Sequence, residues 1–223
     1  MPRETSAPGD LVGVGLDLEP ATLMAAYAAG LFPMRLKGRR GRLGWWSPDP
    51  RGVLPLDGLR LTRSLRRSWR RYDVTIDTGF AEVVAGCADR RRPGGWIGGD
   101  FATAYARLAE LRYAHSVEVR RRSDGLLVGG LYGVAIGGLF AGESMFHREP
   151  EGRDASKVAV VAAVDLLTSD GVPDRLFDVQ WCTPHLATLG VVEIPRAEYL
   201  HRLEVALTRP APAGLGQPPS RTR

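Results

Sequence analysis

The sequence predicts a mixed α+β fold in which a small N-terminal piece precedes a larger domain of strands and helices. Three observations lead there. From His115 the hydrophobic period is two, with Val117 and Val119 alternating with Ser116, Glu118 and Arg120, the pattern of a half-buried strand. Asp124-Gly125 and Gly137-Gly138 then separate the apolar runs 126–134 and 139–146, so the three segments form an antiparallel meander. Beyond them, capped helical segments alternate with strands at 176–181 and 191–194, and helices between the strands of one sheet define a mixed α/β or α+β domain.

Taken in order, residues 1–10 form a frayed tail. Asp17 to Pro20 starts a helix with the apolar stripe Leu23, Met24 and Tyr27, stopped by Gly30. Residues 30–34 are an apolar loop. In 45–51 two prolines exclude a regular helix or central strand, and Trp45 and Trp46 form either a buried staple or a stacking surface, with burial favoured. Pro, Asp and Gly at 55–58 mark a seam, dividing the chain into 1–57, a domain at 58–208 and a disordered tail at 209–223 rich in Pro, Gly and Ser. Within the domain, Asp154 and Ser156 cap a helix running through Val158, Val161, Ala162 and Leu166 to Gly171. Thr183-Pro184 caps another, ended by Gly190, and 196–207 forms the last.

The composition of the 223 residues is that of an ordinary globular chain, long enough to bury a proper core. It has no apolar run of the roughly 20 residues that cross a bilayer and no basic and apolar blocks of a signal peptide. Cys87 and Cys182 make neither a CxxC pair nor a metal cluster, so a reducing cytoplasm is expected. The basic residues are less ordinary: of 30, only Lys37 and Lys157 are lysines. They cluster without acids in 35–42, 60–71 and 90–92, which suits a polyanion, because guanidinium forks match phosphate oxygens. At 3.6 residues per turn, Arg63, Arg66, Arg67, Arg70 and Arg71 share one face of a helix over 62–72, opposite Leu61, Leu65, Trp69 and Tyr72. Five arginines with no compensating Glu repel one another unless an anion is expected, and phosphate binding is favoured over a solvated face.

There is no GxxxxGK, HExxH or GxSxG motif and no GxGxxG opening a helix. His115, His147, His185 and His201 lack metal-ligand spacing, and Ser144 has no adjacent base. The informative stretch is Phe177-Asp178-Val179-Gln180-Trp181. On a strand Asp178 and Gln180 point to one side, roughly 7 Å apart, and desolvating a carboxylate is costly without a partner or a task. Glu143 lies between Ala141 and Met145 on another apolar strand. The three either line one cavity or form a satisfied buried network with Arg or backbone partners, and both readings stay open.

An ordered series of motifs then carries a resemblance: Gly30-Leu31-Phe32-Pro33-Met34, Trp45-Trp46-Ser47-Pro48-Asp49-Pro50-Arg51, Trp96-Ile97, Ala114-His115-Ser116-Val117-Glu118, Val128-Gly129-Gly130-Leu131-Tyr132-Gly133-Val134, Gly142-Glu143-Ser144-Met145-Phe146, Ala155-Ser156-Lys157 and Asp178-Val179-Gln180. Over about residues 11–205 the chain resembles the bacterial leucyl/phenylalanyl-tRNA–protein transferases. The resemblance implies an aminoacyltransferase of the N-degron pathway. Such an enzyme moves Leu or Phe, and less readily Met, from aminoacyl-tRNA to the N-terminal Arg or Lys of a protein, which is thereby marked for proteolysis. It further implies a GNAT-like C-terminal domain behind a small N-terminal one, no metal or nucleotide cofactor, and a cytoplasmic monomer with no membrane partner.

By the same resemblance Gln180 contacts the attacking α-amine, and Asp178 polarises Gln180 or binds the acceptor's basic side chain. Glu143 pairs with the acceptor's guanidinium or ammonium group. Leu131, Phe140 and the wall around Phe177 form the apolar pocket for the transferred side chain, and Trp96 helps hold the terminal adenosine, a stacking role. The five arginines track acceptor-stem phosphates. Three departures bear on specificity: Met34 stands where some members have a tryptophan, Ala163 where a larger pocket residue occurs, and the loop 149–154 is longer than in some relatives. Two rival readings fit the sequence less well. An acetyltransferase using acetyl coenzyme A needs a pyrophosphate loop, and the candidate Arg91-Arg92-Pro93-Gly94-Gly95-Trp96 ends in tryptophan. A non-catalytic RNA-binding module explains the arginines but not Glu143, Asp178 and Gln180 within apolar strands.

Overall fold

The computed structural model describes residues 9–36, 41–89 and 97–215. The N-terminal part comprises β1 (Leu11–Val14), α1 (Pro20–Ala28), β2 (Phe32–Arg35) and β3 (Leu43–Trp46). Its three strands form an antiparallel sheet in the order β1-β3-β2. Pro20 opens α1, as expected of a residue whose missing N–H costs nothing there, and Gly30, at φ +77°, ends it. Residues 30–34, read above as a loop, instead enter β2. Pro33 is tolerated because β2 is an edge strand. Trp45 and Trp46 are a buried staple: both are nearly inaccessible, and their indole N–H groups donate to Gly15 O (2.9 Å) and Met34 O (3.2 Å).

The remaining elements are β4 (Arg51–Leu54), α2 (Arg63–Trp69), β5 (Tyr72–Ile76), α3 (Phe80–Cys87), α4 (Gly99–Glu110), β6 (Ala114–Arg121), β7 (Leu127–Ile136), β8 (Leu139–His147), α5 (Ala155–Thr168), β9 (Leu176–Gln180), α6 (Pro184–Ala187), β10 (Val192–Ile194) and α7 (Arg196–Leu207). A seven-stranded sheet runs β10-β4-β9-β8-β7-β6-β5. The meander β6-β7-β8 is antiparallel, while β8 and β9 are parallel and are joined by the crossover helix α5 that such a connection requires. β4 precedes the seam expected at 55–58, yet it lies inside this sheet between β9 and β10.

Two large clusters pack against the sheet, with a smaller third one between the sheet and α7 around Val53, Leu139 and Leu203. One gathers α5 with Leu65 of α2 and the sheet residues Val117, Leu131, Phe140 and Phe177. The other gathers Leu23 and Tyr27 of α1, Val83 of α3, and Phe101, Tyr105 and Leu108 of α4 with Tyr132 and Phe146. Burying each such side chain contributes about 1.5–3 kcal/mol. Gly129 of β7 permits α5 to approach, since a Cβ there would lie 2.5 Å from that of Ala155.

Several expectations change in three dimensions. The basic helix stops at Trp69, because Tyr72 pairs with Arg121 as the first residue of β5 and its hydroxyl donates to Arg153 O (2.7 Å). Asp154 precedes α5 in the left-handed region and makes no cap; its Oδ2 accepts from Ser68 Oγ (2.8 Å). At the ends, Asp10 is buried, and Asp49 N donates to its Oδ1 (3.1 Å). Residues 209–215, expected to begin a disordered tail, are held by the Arg209–Asp174 ion pair (2.5 Å), by Arg175 Nη2 donating to Pro210 O (3.1 Å) and by burial of Leu215. Among the described residues no helix is long and apolar enough to cross a membrane.

Candidate active site

Beyond the pair Ala141↔Asp178 the parallel strands β8 and β9 no longer register, while β8 continues against β7. The polar residues singled out from the sequence gather at this fork. Asp178, the last residue of β9 paired with β8, is 1% exposed and is gripped by Arg51, itself 1% exposed. Arg51 Nε donates to Oδ1 (2.8 Å) and Nη2 to Oδ2 (2.6 Å), a bidentate fork. Tyr199 Oη donates to Oδ2 (3.0 Å), and Gln180 N donates to Oδ1 (3.0 Å). The guanidinium also donates to Gly30 O (3.0 Å) and stacks over Tyr199 at 4.3 Å and Phe32 at 5.0 Å. Burial alone would lower the Arg51 pKa; the Asp178 charge overrides it and holds the pKa above its ordinary value. For Asp178, then, the satisfied buried network is the outcome, and its carboxylate faces Arg51.

Gln180 adopts φ +60°, a conformation uncommon outside glycine. It pairs with Gly52 across an irregularity in the β4–β9 ladder. Any Cβ at position 52 would lie 2.5 Å from Trp181 C and 2.8 Å from Cys182 N, so only glycine admits the turn after Gln180. With its amide nitrogen facing acceptors, the Gln180 side chain donates to Gly142 O (2.8 Å) and bridges the fork from β9 to β8.

Glu143 lies in the next position of β8, where the β7–β8 register shifts between Tyr132 and Gly133. The bulge turns its side chain toward α1 and α4. Tyr105 Oη donates to Oε2 (2.9 Å) and is linked in turn to Tyr27 Oη (2.6 Å). The occluded Oε1 has no hydrogen-bond partner, and neither has the nearby buried Tyr132 hydroxyl. Burial pushes the Glu143 pKa up to about 7; the Tyr27 and Tyr105 hydroxyls oppose this, Asp178 reinforces it and Arg51 opposes it. A carboxylate with one occluded, unpaired oxygen and a pKa near neutrality is chemically able to receive a cationic or proton-bearing group.

The expected apolar pocket residues also converge. Phe140 and Phe177 meet edge to face with centroids 5.3 Å apart. A Cβ at Gly142 would lie 3.1 Å from Phe177 and 3.7 Å from Leu131, so these two side chains flank the residue before Glu143. Met34 lies apart from them in β2, packed against the α1–α4 cluster. Ala163 is buried within α5. Trp96 lies outside the described residues, as do Lys37, Arg39, Arg40 and Arg90–Arg92. A cavity of about 730 Å³ opens elsewhere, between β4, the start of β9 and α7. It contains Phe177 but none of the polar residues at the fork.

Arg63, Arg66, Arg67, Arg70 and Arg71 are all exposed, while Leu65 and Ser68 face inward. Arg71 differs from the others, because its Nη2 donates to Ser68 Oγ (3.2 Å) and Arg153 O (3.3 Å) and its guanidinium lies over Tyr72 at 5.3 Å. Arg63, Arg66 and Arg67 thus project from α2 and Arg70 from the residue that ends it, while Arg71 anchors that end.

The family model described as leucyl/phenylalanyl-tRNA protein transferase matches residues 53–204, and that of the transferase's N-terminal domain matches residues 16–49. The chain belongs to this family of leucyl/phenylalanyl-tRNA–protein transferases. Relatives bearing that name include one from Syntrophotalea carbinolica, 46% identical over 94% of this chain and 90% of its own length. Another, from an Anaeromyxobacter species, is 48% identical over 96% and 92%, and one from Aromatoleum aromaticum is 49% identical over 86% and 79%. The family member described here is accordingly an aminoacyltransferase. A solved GCN5-related N-acetyltransferase from Kribbella flavida overlaps 78% of this chain and 60% of its own at 12% identity, with a TM-score of 0.39, too low to carry an argument about chemistry.

The sequence assigns no role to Tyr105 or Tyr199, contains Arg51 and Tyr132 only within the motifs of the resemblance, and shows Tyr27 only as part of an apolar stripe. One signal was available for Arg51: a lone cation just before the apolar run Gly52-Val53-Leu54 requires an anionic partner.

Proposed function

We propose that the chain transfers Leu or Phe, and less efficiently Met, from aminoacyl-tRNA to the α-amine of proteins beginning with Arg or Lys, marking them for N-degron proteolysis as a cytoplasmic monomer without a cofactor. The observation that carries this reading is the division of labour between the two carboxylates at the fork. Asp178 is consumed by Arg51, Tyr199 and Gln180 N, whereas Glu143 keeps an unpaired buried oxygen. Glu143 is therefore the carboxylate that receives the acceptor's guanidinium or ammonium group, and it explains a requirement for a basic first residue. Asp178 acts on Gln180 through the backbone, in place of the polarising or cation-binding roles expected from the resemblance.

In the reaction the neutral amine attacks the ester carbonyl carbon, the C–N bond forms, the bond to the ribose oxygen breaks, and the amine proton ends on that oxygen. An amide is too weak a base to take the proton, so Gln180 orients the amine by accepting an N–H bond at its oxygen. Leu131, Phe140 and Phe177 accommodate the donor side chain, and by the family resemblance Trp96 and Met34 are assigned to the terminal adenosine. Arg63, Arg66, Arg67 and Arg70 track phosphates without reading sequence, steadied by Arg71.

Labelled Leu-tRNA or Phe-tRNA supplied to the purified protein should label a peptide beginning with Arg and leave one beginning with Ala unlabelled. An unlabelled Arg peptide in the presence of a competent tRNA pool would overturn the proposal. Transfer from acetyl coenzyme A alone would replace it with an acetyltransferase.

A further inference from the structure

The sequence places one charge in each of two apolar strands, Arg51 in β4 and Asp178 in β9, which are 127 positions apart and side by side in the sheet. The pair is almost wholly removed from solvent. Such pairs seldom add stability over apolar packing, because each ion loses its hydration. A pair that merely joined the N-terminal part to the sheet could be apolar. Besides Gly30 O and the Tyr199 hydroxyl, this pair also reaches the backbone of Gln180, since the Asp178 oxygen held by Arg51 Nε is the one that receives Gln180 N. Gln180 stands in the left-handed region, a conformation that persists only when its surroundings hold it. Gly52, the residue after Arg51, provides the space for that turn. Positions 51 and 52 thus act on Gln180 in two ways, through the carboxylate and through the missing Cβ.

We propose that Arg51 is a positioning residue for the transfer reaction: with Tyr199 it orients Asp178, and Asp178 holds Gln180 in the left-handed turn that carries its amide to the fork between β8 and β9. The inference rests on the proposed role of Gln180. Arg51 is almost wholly buried and acts through Asp178. Its fork fixes both the in-plane rotation and the tilt of the carboxylate, whereas a lysine would supply the charge without the plane. Tyr199 limits the remaining freedom by bonding both partners, donating to Asp178 Oδ2 and accepting from Arg51 Nη2 at 3.2 Å.

The test measures transfer of labelled Phe from Phe-tRNA to a peptide beginning with Arg, with kcat and both KM values, beside thermal unfolding of each variant. Arg51→Lys should lower kcat about 100-fold, the effect of a displacement near 1 Å at a reacting group, and leave the KM for Phe-tRNA within about threefold. Tyr199→Phe, which loses a hydroxyl and no volume, should lower kcat about fivefold with nearly the same unfolding midpoint. The doubly neutral Arg51→Gln/Asp178→Asn leaves no unpaired buried charge and should fold, yet stay about 30-fold or more below wild type in kcat. Recovery of that double variant to within threefold of wild type would show that the pair only fills space and would overturn the proposal. So would a rise in the KM for Phe-tRNA at unchanged kcat in Arg51→Lys. If Arg51→Lys and the double variant both fail to fold, Tyr199→Phe decides, and unchanged kcat there overturns the proposal. Wild-type protein that transfers nothing refutes the proposed function instead, so the two failures are distinguishable.

Discussion

Tyr105 donates its hydroxyl proton to one oxygen of Glu143 at 2.9 Å, while the other oxygen of that carboxylate is buried without a partner. The hydroxyl partly offsets the desolvation of the charged form, and the free oxygen leaves that offset incomplete. Glu143 thus remains titratable near neutrality, with a pKa of about 7.

Transfer should accordingly rise with pH through about 7 as Glu143 ionises, mainly as a lower KM for the acceptor peptide. Glu143→Gln should raise that KM and abolish this limb, leaving only the titration of the acceptor amine. In Tyr105→Phe the carboxylate loses a donor, so the limb should move to higher pH. A pH series of kcat/KM for the three proteins checks both statements.

The same carboxylate affects stability with a defined sign. Its folded-state pKa of about 7 exceeds its ordinary 4.5, so the folded protein holds a proton that the unfolded chain releases between those values. Stability fully present below pH 4.5 is lost as pH rises through 7. Glu143→Gln, which cannot ionise, should therefore gain relative to wild type between pH 5 and 8, by at most about 3 kcal/mol. Thermal or urea unfolding at the two pH values measures the difference.

Removing only one member of the Arg51–Asp178 pair should be severe. Asp178→Ala leaves a buried guanidinium without its counter-charge, at a cost of about 3–5 kcal/mol. Its unfolding midpoint should fall well below that of Arg51→Gln/Asp178→Asn, which carries no such charge.

Gly52→Ala places a Cβ 2.5 Å from backbone atoms that cannot swing aside as a side-chain tip can. A destabilisation of about 1–3 kcal/mol is expected, together with loss of transfer in the protein that remains folded, because the turn at Gln180 must shift. Circular dichroism and transfer rate at a temperature below unfolding separate the two effects.

On α2, replacing Arg66 and Arg67 together by Ala should raise the KM for aminoacyl-tRNA about tenfold at low salt and reduce the slope of log affinity against log salt by about 2, with kcat at saturation nearly unchanged. Arg71→Ala should behave differently, with a lower unfolding midpoint, because it ties the end of α2 to Ser68 and Arg153. Filter binding over a salt series and thermal unfolding distinguish the two classes.

What could be read from the sequence was whatever rests on local spacing. Thr183 and Pro184 opened α6, the period-two pattern from His115 opened β6, and helical phasing put the arginines of α2 outside Leu65. These follow from backbone geometry within a few residues. The same rules misjudged Tyr72, because pairing with Arg121 overrode helical phasing, and Pro33, because an edge strand has room for it. They could place Asp178, Gln180 and Glu143 on apolar strands but could not say which carboxylate was already paired. That depended on β4 entering the sheet beside β9, which set Arg51 against Asp178, and on a bulge in β8, which turned Glu143 toward Tyr105 and Tyr27 on two separate helices. The sequence by itself determined the elements, the polar residues within them and the basic face. Only the tertiary structure decided that Asp178 is engaged by Arg51, Tyr199 and Gln180 N and that Glu143 keeps a free oxygen, because the state of a buried charge is set by its neighbours in space.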